Sequence, residues 1–219
     1  MSDSNRTAPV AGDAVMAWHD ACLVHPGWPQ TSPSLPSAEV WHWIHLNHRN
    51  NSLLWAEEDL ARRTTVGAED IAANKRAIDG YNQARNDATE RVDEWLLLSL
   101  GLVDADSART DAPVARVPSG ARLHSETAGS MIDRLSIMAL KAHAMRAQTE
   151  RTDVEPAHID ASQAKLARLQ QQRRDLAQCL DELLAQAKAG QAYFKVYRQF
   201  KMYNDARFNP ALVAEQKRR

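Results

Sequence analysis

No proline falls between Pro36 and Pro113 or between Pro156 and Pro210, and Ala, Leu, Glu, Gln, Arg and Lys dominate both stretches while β-branched residues are sparse. A backbone free of its strongest breaker, built from the residues that lose least on entering a helix, is committed to long helices. The prolines gather instead at Pro26, Pro29, Pro33 and Pro36 and at Pro113 and Pro118, which mark linkers. Helices are predicted over about 13–24, 38–63, 68–100, 128–150, 157–189 and 191–204. Ser37 suits an N-cap, Pro156 a first helical turn and Gly190 a helix stop. The fold class is therefore all-α, a helical bundle of about six helices. Residues 1–12 are expected to be a disordered N-terminus, 13–210 a single helical domain and 211–219 a frayed basic C-terminus. The segment 101–124, rich in Gly, Pro, Ser and Asp, reads as a surface loop between two helical halves.

The fifth helix carries Ile159, Leu166, Leu169, Leu176, Leu180 and Leu183 in a heptad seam that Ser162 and Arg173 interrupt. The seam predicts helix-on-helix packing, within one chain or across a homodimer.

Charge limits the partners. Lys+Arg total 27 against 28 Asp+Glu, a formal charge of −1, which argues against general nucleic-acid binding. The only cysteines, Cys22 and Cys179, build neither a disulfide framework nor a cysteine-rich zinc site. The first residues lack a signal-peptide pattern and no apolar run reaches the roughly 18 residues of a membrane span, so a cytoplasmic protein is expected.

Polar residues on core-facing arcs hold the functional interest. At 100° per residue the second helix puts Trp41, Trp43, Ile44, Leu54, Trp55 and Ala61 on one half, and Asn47, His48, Asn51, Glu58, Asp59 and Arg62 share that half. Glu58 and Arg62 stand four apart and can pair along the helix. An unpaired buried charge costs several kcal/mol, so these groups form a buried ion-pair network or line a hydrated cavity. The third helix has an apolar arc of Ile71, Ile78, Tyr81, Ala88, Val92, Trp95 and Leu96, interrupted by Arg85, and an opposite stripe of Lys75, Asp79, Asn82, Asn86, Glu90 and Asp93. That stripe reads as a solvated face, though Asn and Asp are weak helix formers, and Gly80 suggests a kink or close approach. The fourth helix is apolar over most of its circumference and should be largely buried, so Arg134 and Lys141 need anions, from neighbouring carboxylates or a ligand, and Asp133 intrudes on the apolar side.

His42, His45 and His48 drift about 60° around the helix per step and are not read as metal ligands. "EED" at 57–59 and "ERVD" at 90–93 are loosely similar to the all-α nucleotide pyrophosphatases, whose carboxylates hold Mg²⁺, but the second carboxylate pair of the first motif is missing. No phosphate-binding glycine loop or nucleophile elbow is present, and the sequence specifies no cofactor.

The segments "NSLLWAEEDLARR", "IAANKRAIDGYNQARNDATERVD", "SETAGSMIDRLSIMALKAHAM" and "QFKMYNDARFNP" together resemble the bacterial family called domain of unknown function 4254, over roughly residues 40–210. Ala128 and Ala206 stand where that family would have proline. The resemblance implies an all-helical cytosolic protein, often encoded near glycosyltransferases and other cell-envelope saccharide genes, and no particular activity. Family-pattern positions here are Asn51, Trp55, Glu58, Asp59, Arg62, Lys75, Asp79, Asn82, Arg85, Asn86, Asp87, Glu126, Asp133, Arg134, Lys141, Lys201 and Asn204.

Two expectations follow. One is an internal polar pocket between helices two, three and four that binds an anionic small molecule, a nucleotide sugar or sugar phosphate. Its candidate contacts are Asn51, Glu58, Asp59, Arg62, Lys75, Asp79, Asn82, Arg85, Asn86, Asp133, Arg134 and Lys141. The other is a non-enzymatic adaptor for a glycosyltransferase or another envelope-biosynthesis protein, docking through the heptad helix and Tyr193, Phe194, Tyr197, Phe200 and Tyr203.

Overall fold

The computed structural model describes residues 10–199 and 206–218. It is all-α, with helices α1 (Gly12–Val24), α2 (Glu39–Leu60), α3 (Ala68–Leu100), α4 (Ala128–Thr149), α5 (Pro156–Lys188) and α6 (Pro210–Gln216). A two-residue strand β1 (Arg122–Leu123) pairs in parallel with β2 (Ala192–Tyr193). The first five helices fall where the sequence puts them, within a few residues at each end. None of the described helices is long and apolar enough to cross a membrane.

The helix ends follow local chemistry. Gly101, at φ 68°, stops α3 and returns its N–H to the last carbonyls. Thr127 caps α4 by accepting from the Ser130 N–H at 3.1 Å, and Pro156 opens α5. α2 has no side-chain cap: its N-cap is Ala38, not Ser37. Gly80 faces open space and α3 runs through it without a break.

α2 packs along α3, and α4 folds back on α5, with α1 laid across α4 and α5. The common core holds Val15, Trp18, Ile44, Val92, Leu97, Ile132, Leu135, Leu180 and Phe194. The second half of the heptad seam is used inside the chain: Leu176, Leu180 and Leu183 are buried, as are Ser162 and Arg173, while Ile159, Leu166 and Leu169 are only partly covered. Arg173 reaches α1, donating from Nη1 to Asp20 at 2.7 Å and from Nη2 to the Met16 carbonyl at 2.9 Å.

Two expectations fail at the C-terminal end. Where a helix was predicted over 191–204, Gly190 (φ 70°) closes α5 and the chain runs extended, forming β2 beside β1. Ala192, Phe194 and Val196 are buried while Tyr193, Lys195 and Tyr197 are not, a period of two that "AYFKVY" already carries. Residues 200–204 of the predicted helix, Phe200 and Tyr203 among them, lie outside the described residues, as do 1–9 of the expected disordered N-terminus. Val10 at its end is buried. The tail expected to fray carries α6, capped by the Asn209 side chain, which accepts from the Ala211 N–H at 3.0 Å.

Candidate functional site

Where α2, α3 and α4 meet, the core turns polar. Asn47 and Asn51, one helical turn apart on α2, are almost fully buried. Their amides converge on one carboxylate oxygen of Asp133 on α4, at 2.8 and 2.9 Å. Asn47 also donates to Thr89 Oγ1 on α3 at 3.0 Å, and Asn51 to Ser136 Oγ at 3.0 Å. Ser136 in turn stands 2.7 Å from Nδ1 of His48. Arg85 brings its guanidinium to 3.9 Å from the same Asp133 oxygen and donates to Asn86 Oδ1. The network docks three helices with side chains that are mostly neutral, and so avoids most of the desolvation cost that a set of buried charges would carry.

Two groups in it are unmet among the described residues, His48 Nε2 and Asn51 Oδ1. Asn51 Oδ1 is buried and accepts no hydrogen bond among the described residues. Asn51 also lines a groove of about 270 Å³ with Leu54, Trp55, Glu58, Asp59, Arg62, Arg85, Ile137 and Leu140. Asn51 thus lies at the floor, with its unmet oxygen just beneath the surface, a tryptophan and three aliphatic side chains form the walls, and two carboxylates and two guanidinium groups complete the lining. Glu58 and Arg62 pair at 2.9 Å, with side chains 42% and 69% exposed. They belong to a hydrated rim, and the alternative of a buried ion-pair network does not hold for them.

Of the residues nominated from sequence, Asn51, Glu58, Asp59, Arg62 and Arg85 line this groove and Asp133 lies just beneath it. The others disperse. Lys75 and Asp79 bond each other at 2.5 Å on the exposed first half of α3. Asn86 donates to Gln199 at 2.8 Å. Arg134, exposed, pairs with Glu126, and Lys141, also exposed, lines a different groove. The expectation that these two cations sit on a buried face is therefore wrong: α4 is buried around most of its circumference, and they occupy its open strip. Asn82 is half-buried.

The polar stripe of α3 is not a solvated face at its C-terminal end. Asp93 and Glu94 are buried. Asp93 accepts the Gly129 N–H at 2.6 Å, at the start of α4, and burial pushes its carboxyl up to about 7. Only glycine fits at 129, since a Cβ there would stand 2.6 Å from the Thr89 carbonyl oxygen. Arg198, from the extended segment after β2, donates to Glu90 at 2.8 Å and Glu94 at 2.6 Å. Arg91 bonds Glu94 as well, at 2.7 Å. The acidic motifs at 57–59 and 90–93 therefore do not face a common site, since Glu57 accepts from Asn74 and Glu58 from Arg62.

The three histidines of α2 also diverge. His42 is exposed against Trp43, His45 lies edge-on to Trp18 and Trp28, and His48 stacks on His19 of α1 with centroids 4.4 Å apart. Burial drives the imidazole of His48 down to about 3 and that of His19 well below its ordinary range. Both are neutral core groups at neutral pH.

His19, Thr89, Ser136 and Arg198 were not among the residues nominated from sequence. Ser136 had a signal, lying one turn from Asp133 on the same face of α4; nothing in the sequence joins Arg198 to α3.

No curated protein and no solved structure matches the chain. Residues 41–196 match the family described as "Protein of unknown function (DUF4254)", a span that runs from the first turn of α2 past β2 and holds every residue that lines or floors the groove. By that match over most of its length, the chain belongs to the DUF4254 family.

Proposed function

We propose that the groove between α2, α3 and α4 binds a sugar phosphate, or the sugar-phosphate end of a nucleotide sugar. The observation that carries this reading is the unmet, buried Asn51 Oδ1 at the floor of a groove otherwise walled by Trp55, Leu54, Ile137 and Leu140. A buried acceptor without a partner costs about 1–3 kcal/mol, which a ligand hydroxyl returns by donating to it. Glu58 and Asp59 accept further hydroxyls, Trp55 covers an apolar sugar face, and Arg62 and Arg85 take the anionic group. Carboxylates balance the guanidinium groups, so the groove suits a polyol carrying one anionic substituent better than a bare anion. At about 270 Å³ it falls just below the usual range of small-molecule sites, about 300–1,000 Å³, which favours a monosaccharide phosphate over a whole nucleotide sugar. A role beside cell-envelope saccharide enzymes belongs to the same proposal.

Thermal-shift and calorimetric titration against hexose and pentose phosphates and nucleotide sugars, with the neutral sugars and inorganic phosphate as controls, tests it. A ligand at 100 times its dissociation constant adds about 2.7 kcal/mol of stability. Sugar phosphates should bind more tightly than either control, and Arg62→Ala and Trp55→Ala should each weaken binding at least about tenfold, the loss of one charge-assisted contact or one stacked face. Silence across the panel, or binding that ignores both substitutions, overturns the proposal.

A further inference from the structure

A second groove, of about 470 Å³, runs between α4 and α5 on the far side of Trp55. Its apolar lining is Trp55, Ala144, Met145 and Leu169. Three cations edge it, Lys141 from α4 and Lys165 and Arg168 from α5, and among the described residues no carboxylate lines it. The helices form a hairpin whose register is read from His158 Nε2, 3.2 Å from Gln148 Oε1. Seven residues back along α4 and seven forward along α5 bring Lys141 opposite Lys165, with Arg168 one turn further on. None of the three has an ion-pair partner among the described residues, although the Arg168 Nε–H is given to the Ala164 carbonyl at 3.3 Å. Elsewhere on this surface Arg62, Lys75, Arg134 and Arg151 all find carboxylates. Like charges gathered without a counter-charge repel one another, and an open apolar floor beside them leaves hydrophobic surface in water.

An anion would relieve the first cost and an apolar body the second. We propose that this groove binds a single-chain amphiphile with a phosphate or carboxylate head, the head held by Lys141, Lys165 and Arg168 and the chain laid over Met145, Leu169 and Trp55. The volume is that of a small-molecule site. The two grooves share Trp55 but no charged residue, and charge reversal at Lys165 and Arg168 touches only this one, so either proposal can fail without the other.

Calorimetric titration of the full chain with inorganic phosphate, butyl phosphate and octyl phosphate, all below micelle formation, tests it, with octanoate and octanol as head-group controls. Each methylene buried should tighten binding about threefold to fourfold, reaching one octyl phosphate per chain, with octanoate binding and octanol far weaker. The exposed pair Lys165→Glu and Arg168→Glu together should cost at least about tenfold, while Leu169→Gln should flatten the chain-length dependence and leave the phosphate contribution. Circular dichroism and urea midpoints report whether each variant keeps its fold. Octyl phosphate no tighter than inorganic phosphate, octanol equal to octyl phosphate, or binding indifferent to the charge reversal overturns the proposal. So does tight binding of an acidic amphipathic peptide with no binding of the alkyl phosphates, which would make this face a protein-docking surface.

Discussion

Replacing Asp93 with asparagine should stabilise the protein at alkaline pH and progressively less in acid. Two effects oppose each other at this side chain. The start of α4 offers it the Gly129 N–H at 2.6 Å, and the N-terminal end of a helix favours an anion by up to about 2 kcal/mol. Burial away from water works the other way, with Glu90 and Glu94 adding repulsion, and burial dominates: the carboxyl rises from 3.8 to about 7. An acid whose folded pKa lies above its unfolded one gives its full contribution to stability below the unfolded value and loses it as pH rises, here between about 3.8 and 7. About three units at 1.36 kcal/mol each make this about 4 kcal/mol, all of it spent by pH 8.

Asparagine of the same shape keeps an oxygen for Gly129 and cannot ionise. The variant should therefore exceed the wild type by about 4 kcal/mol at pH 8 and by only about 1.6 kcal/mol at pH 5, the gap closing toward pH 4. Urea denaturation of both proteins at pH 5, 6.5 and 8 measures the difference, and comparing them cancels every other titrating group. A variant less stable than the wild type by the same amount at all three pH values would refute the reasoning. It would mean that the helix terminus outweighs burial and that Asp93 folds as a carboxylate.

Three further outcomes follow from the same contacts. His19, His45 and His48 are depressed below their unfolded value of 6.5, so their contribution is lost as pH falls; in the Asp93→Asn background the urea-derived stability should rise between pH 5 and 6 by up to about 1.4 kcal/mol for each imidazole that folds neutral, and a flat profile would show that they are charged in the fold. Arg198→Ala should cost about 2–4 kcal/mol in chemical denaturation, since it removes one of the two cations on buried Glu94 and the partner of Glu90; a loss under about 0.5 kcal/mol would mean that Arg91 suffices. Glu58→Ala and Arg62→Ala should each cost less than about 1 kcal/mol, additively to within the pair's own weak coupling, and losses of several kcal/mol that vanish in the double variant would restore the buried-pair reading.

How much the sequence disclosed depends on whether a feature is local. Long helices follow from composition and breaker positions, which act within a few residues, and so α1 to α5 were legible. The segment after Gly190 was misread because "AYFKVYRQFKMY" has helix-compatible composition, while its alternation only acquires meaning when a strand is present to pair with it, and β1 comes from a loop about 70 residues earlier. Ser162 and Arg173 looked like breaks in the heptad seam for a related reason. Whether a polar side chain spoils a seam depends on what faces it, and α1 supplies Asp20 and the Met16 carbonyl to Arg173.

The polar site shows the same boundary at finer scale. Angle alone put Asn47, Asn51, Glu58 and Arg62 on one half of α2, and the structure divides them into a buried floor and an open rim. The direction in which a side chain points is set by helix periodicity, but its burial is set by how far the neighbouring helix continues. Asn47 and Asn51 lie where α4 offers Asp133 and Ser136, whereas Glu58 belongs to the last turn of α2, which ends at an exposed Leu60, and Arg62 to the turn just beyond it. That step from covered to uncovered is what opens a groove there. A helix whose apolar stripe ended with its neighbour would leave a flat edge, but α2 carries Trp55 to the step and places Asn51, with its unmet oxygen, at the foot of it. The weak helix formers of the α3 stripe, out of place by propensity, are explained at Asp93, which takes the Gly129 N–H at the start of α4, and at Asn86, which donates to Gln199. At Asp79 they are not, since among the described residues its carboxylate bonds an exposed lysine on its own helix.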